Sequence, residues 1–191
     1  MRDREAAGGS SRGDADDVAL IRAVADRDPV AVRRFLDDVA PIVHGYLYAR
    51  VGGDEPAAED LLQETLLEAV RSARTFRGDS ALSTWLCAIA RRRLARHYES
   101  ERRDEATRVG LRLVAPASED PEDGVLEQRD EVVRALGRVP VTHRQVLVLK
   151  YLDGLSVEEI ASELGRSRVQ VQSLLQRARD GLRGELGAGH D

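Results

Sequence analysis

Apolar positions begin to recur at intervals of three and four from Val18. Val18, Ile21, Val24 and Ala25 open the series. Asp28-Pro29 then has the signature of a helix start, a capping carboxylate before a proline, and Val30, Val32, Phe35, Leu36 and Val39 follow. Pro41 interrupts the pattern, which resumes from Ile42 to Val51 and stops at Gly52-Gly53. A longer helix is expected from about Pro56 to Ala73, with Leu62, Leu66, Ala69, Val70 and Ala73 as its apolar stripe. Arg77-Gly78-Asp79-Ser80 reads as a loop. The next helix, from about Ala81 to Arg103, should bury Leu82, Trp85, Leu86, Ile89, Ala90 and Leu94.

Periodicity is lost on either side of these elements. Residues 1–17 carry glycine, serine and charge without an apolar repeat and are expected to be a disordered tail. The stretch 104–125 holds two prolines and lies within an acidic region, so it is expected to be a flexible linker that orders only on a partner. Beyond it, helices are expected at about 126–136, 144–153, 157–164 and 168–186. Thr142-His143-Arg144-Gln145, Ser156-Val157-Glu158-Glu159 and Ser167-Arg168-Val169-Gln170 each fit the capping box, while Gly154 and Gly165 stand where a left-handed residue ends a helix. The expected fold is therefore all-α: two small helical domains, 18–103 and 126–187, joined by the linker, the second a helix-turn-helix domain.

Composition narrows the chemistry. The chain has 191 residues, 42% apolar and 33% charged, with only 4% aromatic, which argues against an aromatic-rich sandwich. Its longest unbroken apolar run, Trp85 to Ala90, is far below the roughly 20 residues of a membrane span, and Met1-Arg2-Asp3-Arg4 lacks a signal core. A cytoplasmic location without membrane insertion is expected. The single cysteine, Cys87, excludes an intrachain disulfide and is most simply a small core residue. Four dispersed histidines, one cysteine and no Gly-rich phosphate loop make an enzyme the least supported class, with no metal or cofactor expected.

The net charge of −5 disfavours a nucleic-acid binder only as an average. Residues Arg91 to Arg103 sum to +4, Ser167 to Arg183 to +3, and Glu119 to Glu131 to −6. In a helix-turn-helix the second helix enters the major groove. With Val171 facing the core at 100° per residue, Val169, Gln172, Ser173, Gln176, Asp180 and Arg183 point outward. Gln172 and Gln176 can then offer paired groups to adenine, while Arg168, Arg177, Arg179 and Arg183 can meet phosphates. An amphipathic helix with a solvated face would show a similar pattern; the Ala161 and Gly165 spacing with two capping boxes favours DNA. The Arg91 to Arg103 block is weaker alone, because arginines at a helix end also complement its dipole.

Ordered segments now resemble a known family. Asp60-Leu61-Leu62-Gln63-Glu64-Thr65, Phe76-Arg77-Gly78-Asp79, Ser83-Thr84-Trp85-Leu86 and Ile89-Ala90-Arg91 resemble conserved region two of extracytoplasmic-function (ECF, group 4) RNA polymerase sigma factors. Val139-Pro140, Arg144-Gln145-Val146-Leu147, Tyr151-Leu152-Asp153-Gly154-Leu155-Ser156, Glu159-Ile160-Ala161 and Leu164-Gly165 resemble region four. The resemblance implies a transcription initiation subunit that binds polymerase core, at the clamp of the largest subunit and the flap of the second, and promoter DNA. It assigns core binding to Asp60, Gln63, Glu64 and Leu67. It assigns the minus-ten element to Arg77, Asp79, Ser80 and Ser83, around a flipped base, with Arg91, Arg92 and Arg96 on the duplex backbone. The minus-thirty-five element falls to Arg166, Ser167, Arg168, Val169, Gln172, Ser173, Gln176, Arg177 and Arg179. An anti-sigma factor is a common partner in the family, and no homo-oligomer is expected. On spacing alone Trp85 reads as core.

The chain departs from the family pattern at Arg92 and Arg96, where Asn and Asp are usual, and at Arg166, usually apolar. Gln172, Leu174 and Gln176 stand at commonly basic positions, so the promoter sequence cannot be carried over. A free-standing helix-turn-helix repressor, usually a dimer on a palindrome, is the main alternative, and a protein-binding helical adaptor another. The repressor leaves Asp60 to Glu64 and the separate basic helix without a purpose, and the adaptor predicts no DNA contact.

Overall fold

A computed structural model describes residues 10–108 and 124–187. All regular structure among them is helical: α1 (Ser10–Ala25), α2 (Pro29–Asp38), α3 (Ala40–Arg50), α4 (Glu55–Ser72), a 3-10 turn (Ala73–Thr75), α5 (Leu82–Arg108), α6 (Gly124–Arg138), α7 (Val141–Leu147), a π turn (Val148–Leu152), α8 (Val157–Leu164) and α9 (Arg168–Gly187). Contacts group the chain into two compact units. One comprises the described residues up to Leu47 with Pro56–Ala95; the other comprises Tyr48–Glu55 with those from Arg96 on. The division thus passes through α3 and α5.

In the first unit, Asp28 caps α2 by accepting from the N–H groups of Val30 and Ala31, and Pro29 supplies the preset backbone angle of the first turn. Leu20, Ile21 and Val24 of α1 are buried, and α1 packs on α2 and on the 3-10 turn. Helix α1 starts at Ser10, inside the stretch read from sequence as tail. Its Asp17 carboxylate accepts from the Leu82 N–H at 2.8 Å and so caps α5 across the unit. Residues 1–9 lie outside the described part.

The stripe of α4 is rotated from its expected position. Ala58, Leu61, Thr65 and Ala69 are buried, while Leu62, Leu66 and Val70 are only half-buried. Thr65 can occupy the core because its hydroxyl donates to the Leu61 carbonyl at 2.7 Å. A polar residue satisfied by its own helix turn is invisible to a pattern of apolar letters.

In the second unit, α9 packs against α6, α7 and α8. Leu136, Val146, Leu147, Leu149, Ile160, Val171, Leu174 and Leu175 form its core with Ala161 and Ala178. The box expected at Thr142 is not formed: Pro140 is the N-cap of α7, without a side-chain cap, and Thr142 already lies inside the helix. The helix then loosens into the π turn instead of running evenly to Asp153. Helix α5 continues to Arg108, five residues into the stretch read as linker. Thr107 there donates to the Arg103 carbonyl at 2.9 Å. The remainder of that stretch to 123 lies outside the described residues.

Candidate nucleic-acid interface

The turn between α8 and α9 is built by short-range chemistry. Ser156 accepts from the Glu159 N–H, and the Glu159 carboxylate accepts from the Ser156 N–H at 2.8 Å, completing a capping box. Gly165 ends α8 in the left-handed region at φ 61°, where a side chain would be strained. The Arg166 N–H closes the turn on the Ala161 carbonyl at 2.9 Å. Ser167 and Gln170 then form a second reciprocal box at the start of α9.

This fixes the rotation of α9. Val171, Leu174, Leu175 and Ala178 are buried, and Val169, Gln172, Ser173, Gln176, Arg177, Asp180 and Arg183 are exposed, as the 100° rule requires. Val169 is 73% exposed, an apolar side chain at the N-terminal turn where a groove-reading helix meets base edges. Arg166, Ser167 and Arg168 are exposed beside it, Arg168 paired with Glu158.

The two glutamines differ. The Gln176 amide donates to Asp180 at 3.2 Å and accepts from Arg179 at 2.8 Å, and Arg183 pairs with Asp180. Arg179 is half-buried, its Nε without a hydrogen-bond partner. Its other guanidinium contact lies on the helix surface, so it is less available to phosphate than spacing suggests.

In the first unit, Asp60, Gln63, Glu64 and Leu67 are all exposed and spaced to share one face of α4, Leu67 at 57%. Arg93 of α5 reaches this helix, pairing with Glu68 at 3.1 Å and with Glu64 at 3.5 Å. Sequence spacing did not reveal that contact. Arg77 and Asp79 lie exposed on the loop before α5, with Gly78 at φ 79°; Ser80 and Ser83 are half-buried next to them. Phe76 is buried beneath, its ring 5.2 Å from that of Trp85. Trp85 itself is half-buried, neither full core nor free surface, and Cys87 is half-buried as well. On α5, Arg92 and Arg96 are exposed four residues apart and Arg91 is half-buried. Arg91 and Arg92 belong to the first unit and Arg96 to the second.

No group of three or more His, Cys, Asp or Glu with metal-site geometry occurs among the described residues, and none of their helices is long and apolar enough to cross a membrane. What the two units offer is surface: one acidic and apolar helix face, one polar loop above an aromatic pair, and one groove-sized helix with arginines at its edges.

Comparison with known proteins gives these surfaces a context. The family model for sigma-70 region 2 matches residues 32–104, and that for sigma-70 region 4 matches 129–181. The chain is 35% identical over 152 residues to the ECF RNA polymerase sigma factor BldN of Streptomyces coelicolor, a match covering 78% of this chain and 57% of that protein. It is 33% identical over 171 residues to the ECF sigma factor SigK of Mycolicibacterium vanbaalenii, covering 86% of this chain and 85% of SigK. Among solved structures, the sigma factor RpoE of Bartonella quintana, crystallised with the anti-sigma factor NepR, shares the fold with a TM-score of 0.51 at 24% identity, over 82% of this chain and 96% of that one. With both sigma regions matched in order and SigK matched over most of its length, the chain belongs to the extracytoplasmic-function family of RNA polymerase sigma factors.

Proposed function

We propose that this chain is a group 4 sigma factor that binds RNA polymerase core in the cytoplasm and directs promoter recognition and melting, without catalysis of its own. The carrying observation is the exposed set Asp60, Gln63, Glu64 and Leu67 within the region 2 match, combined with the outward face of α9 within the region 4 match. In functional terms, 18–103 is the core-binding and minus-ten domain and 126–187 the minus-thirty-five domain, with 104–125 between them.

On this reading the α4 face docks on the clamp of the largest subunit. Arg77, Asp79, Ser80 and Ser83 receive an unstacked base of the minus-ten element, with Arg91, Arg92 and Arg96 along the backbone. Gln172 reads a base edge, Val169 a thymine methyl, and Arg166, Arg168, Arg177 and Arg179 meet phosphate, with Ser167 and Ser173 beside them. Region 4 also contacts the flap of the second subunit. The RpoE–NepR complex supports an anti-sigma partner for this chain too. A free-standing repressor would have no use for the α4 face.

Run-off transcription with core polymerase over a promoter library tests the proposal. Start sites that depend on this chain and share two spaced elements are expected. Duplex binding that needs no core and selects one palindrome would replace the proposal with the repressor.

A further inference from the structure

Several of the side chains that α9 would offer to a duplex are already held within the chain, and two carboxylates do most of the holding. Arg168, in the first turn of α9, is paired with Glu158 of α8 at 2.5 Å, and both members are more than half exposed. About three turns on, Asp180 accepts from Gln176 Nε2 at 3.2 and 3.3 Å and from Arg183 Nη1 at 2.9 Å. Arg179 Nη2 donates to Gln176 Oε1 at 2.8 Å, so this amide is engaged at both ends. Gln172, one turn nearer the start of α9, has no such partner among the described residues.

The helical repeat and the turn account for these pairings. Residues three and four apart are neighbours on a helix surface, which puts Asp180 between Gln176 and Arg183. Glu158 reaches Arg168 because the left-handed Gly165 folds the two helices together.

We propose that Asp180 and Glu158 set the specificity and the affinity of this face, their carboxylates holding in the free chain the donors that DNA would otherwise take. The proposal rests on the reading that α9 enters the major groove. An amide reads adenine by presenting its donor and its acceptor together. Asp180 takes the donor of Gln176, and with Arg179 on the acceptor the amide is withheld from base edges; reading falls to Gln172. At Arg168 a phosphate exchanges one anion for another, so the contact gains less than a free guanidinium would. An exposed pair is weak enough to be displaced, and the released carboxylate is then repelled by the nearby backbone.

Two double-variant series in the full-length chain test this. In holoenzyme over a promoter library, Asp180→Ala should change the preferred base at one position of the minus-thirty-five element, and adding Gln176→Ala should abolish the change. With the free chain on duplexes with and without that element, Glu158→Gln should raise affinity about two- to fivefold on both, with preference unchanged. The slope of log affinity against log salt should steepen by at most about 0.9, one phosphate contact. Neither gain should survive Arg168→Ala. Helicity should stay unchanged throughout, since both carboxylates are exposed. An unchanged preference in Asp180→Ala, or a change that persists without Gln176, overturns the role of Asp180. A gain from Glu158→Gln that persists without Arg168, or no gain at all, overturns that of Glu158. Run-off transcription by the wild type reads the sigma assignment separately: its absence refutes that assignment whatever the duplexes report.

Discussion

On α9, Gln176 already spends both ends of its amide on Asp180 and Arg179, whereas Gln172 is exposed on the same face. Gln172→Ala should therefore shift the preferred minus-thirty-five sequence, with a loss of about 1–3 kcal/mol of discrimination at one base pair. Gln176→Ala should shift it less, and Arg179→Ala should weaken all promoters alike. Library profiles that move with Arg179 and not with Gln172 would show that the reading face is rotated. Glu101 carries a second residue-scale consequence. Burial pushes its carboxyl up, but the hydrogen bond from His97 and the charge and hydrogen bonds of Arg144 outweigh it and hold the group below its ordinary value. A depressed carboxyl stabilises the fold above its unfolded value near 4.3 and loses that contribution as pH falls through the folded one. Acid titration followed by helicity should show a loss below about pH 4 that Glu101→Gln flattens, while lowering stability at neutral pH because Arg144 is left unpaired.

At the scale of elements, the caps divide into those that are made and one that is not. Ser156→Ala and Ser167→Ala should each cost about 1 kcal/mol of stability, whereas Thr142→Ala should cost close to nothing, because Thr142 caps no helix. Urea midpoints of the three variants check this. Helix α4 is a two-sided element, with Thr65 and Leu61 inside and Asp60 and Glu64 outside. The Glu64 pair with Arg93 is exposed and worth at most about 1 kcal/mol. Reversing Asp60 and Glu64 to lysine should thus abolish co-purification with core while leaving helicity intact. Retained co-purification would remove α4 from the core interface.

The whole molecule is acidic, yet α9, the helix proposed to meet DNA, is basic, so on that proposal affinity for duplex is divided between local attraction and global repulsion. A sigma factor delivered by polymerase can tolerate that balance. Each phosphate contact made through α9 contributes about 0.9 to the slope of log affinity against log salt. Arg177→Ala should lower the slope by about 1 and weaken all sequences equally. A change in sequence preference instead would make Arg177 a base reader.

Local order in this protein was legible in the sequence, because capping, left-handed glycines and the rotation of α9 depend on residues within one or two helical turns. Asp28, Ser156, Gly165 and Ser167 state their roles in four-residue windows, and the outward set on α9 follows from Val171 and the helical repeat alone. The Asp60, Gln63, Glu64 and Leu67 face of α4 was implied by family resemblance and not by periodicity, and its stripe could not be read, since Thr65 is buried through a hydrogen bond that apolar periodicity does not encode. Tertiary structure decided everything carried by partners far apart in the chain. Asp17 caps α5 from 65 residues away, Arg93 reaches back to α4, and Arg50 finds Asp153 across 103 residues. A charged residue in a sequence has the same letter whether water or a buried counter-ion receives it, and only the folded chain determines which does.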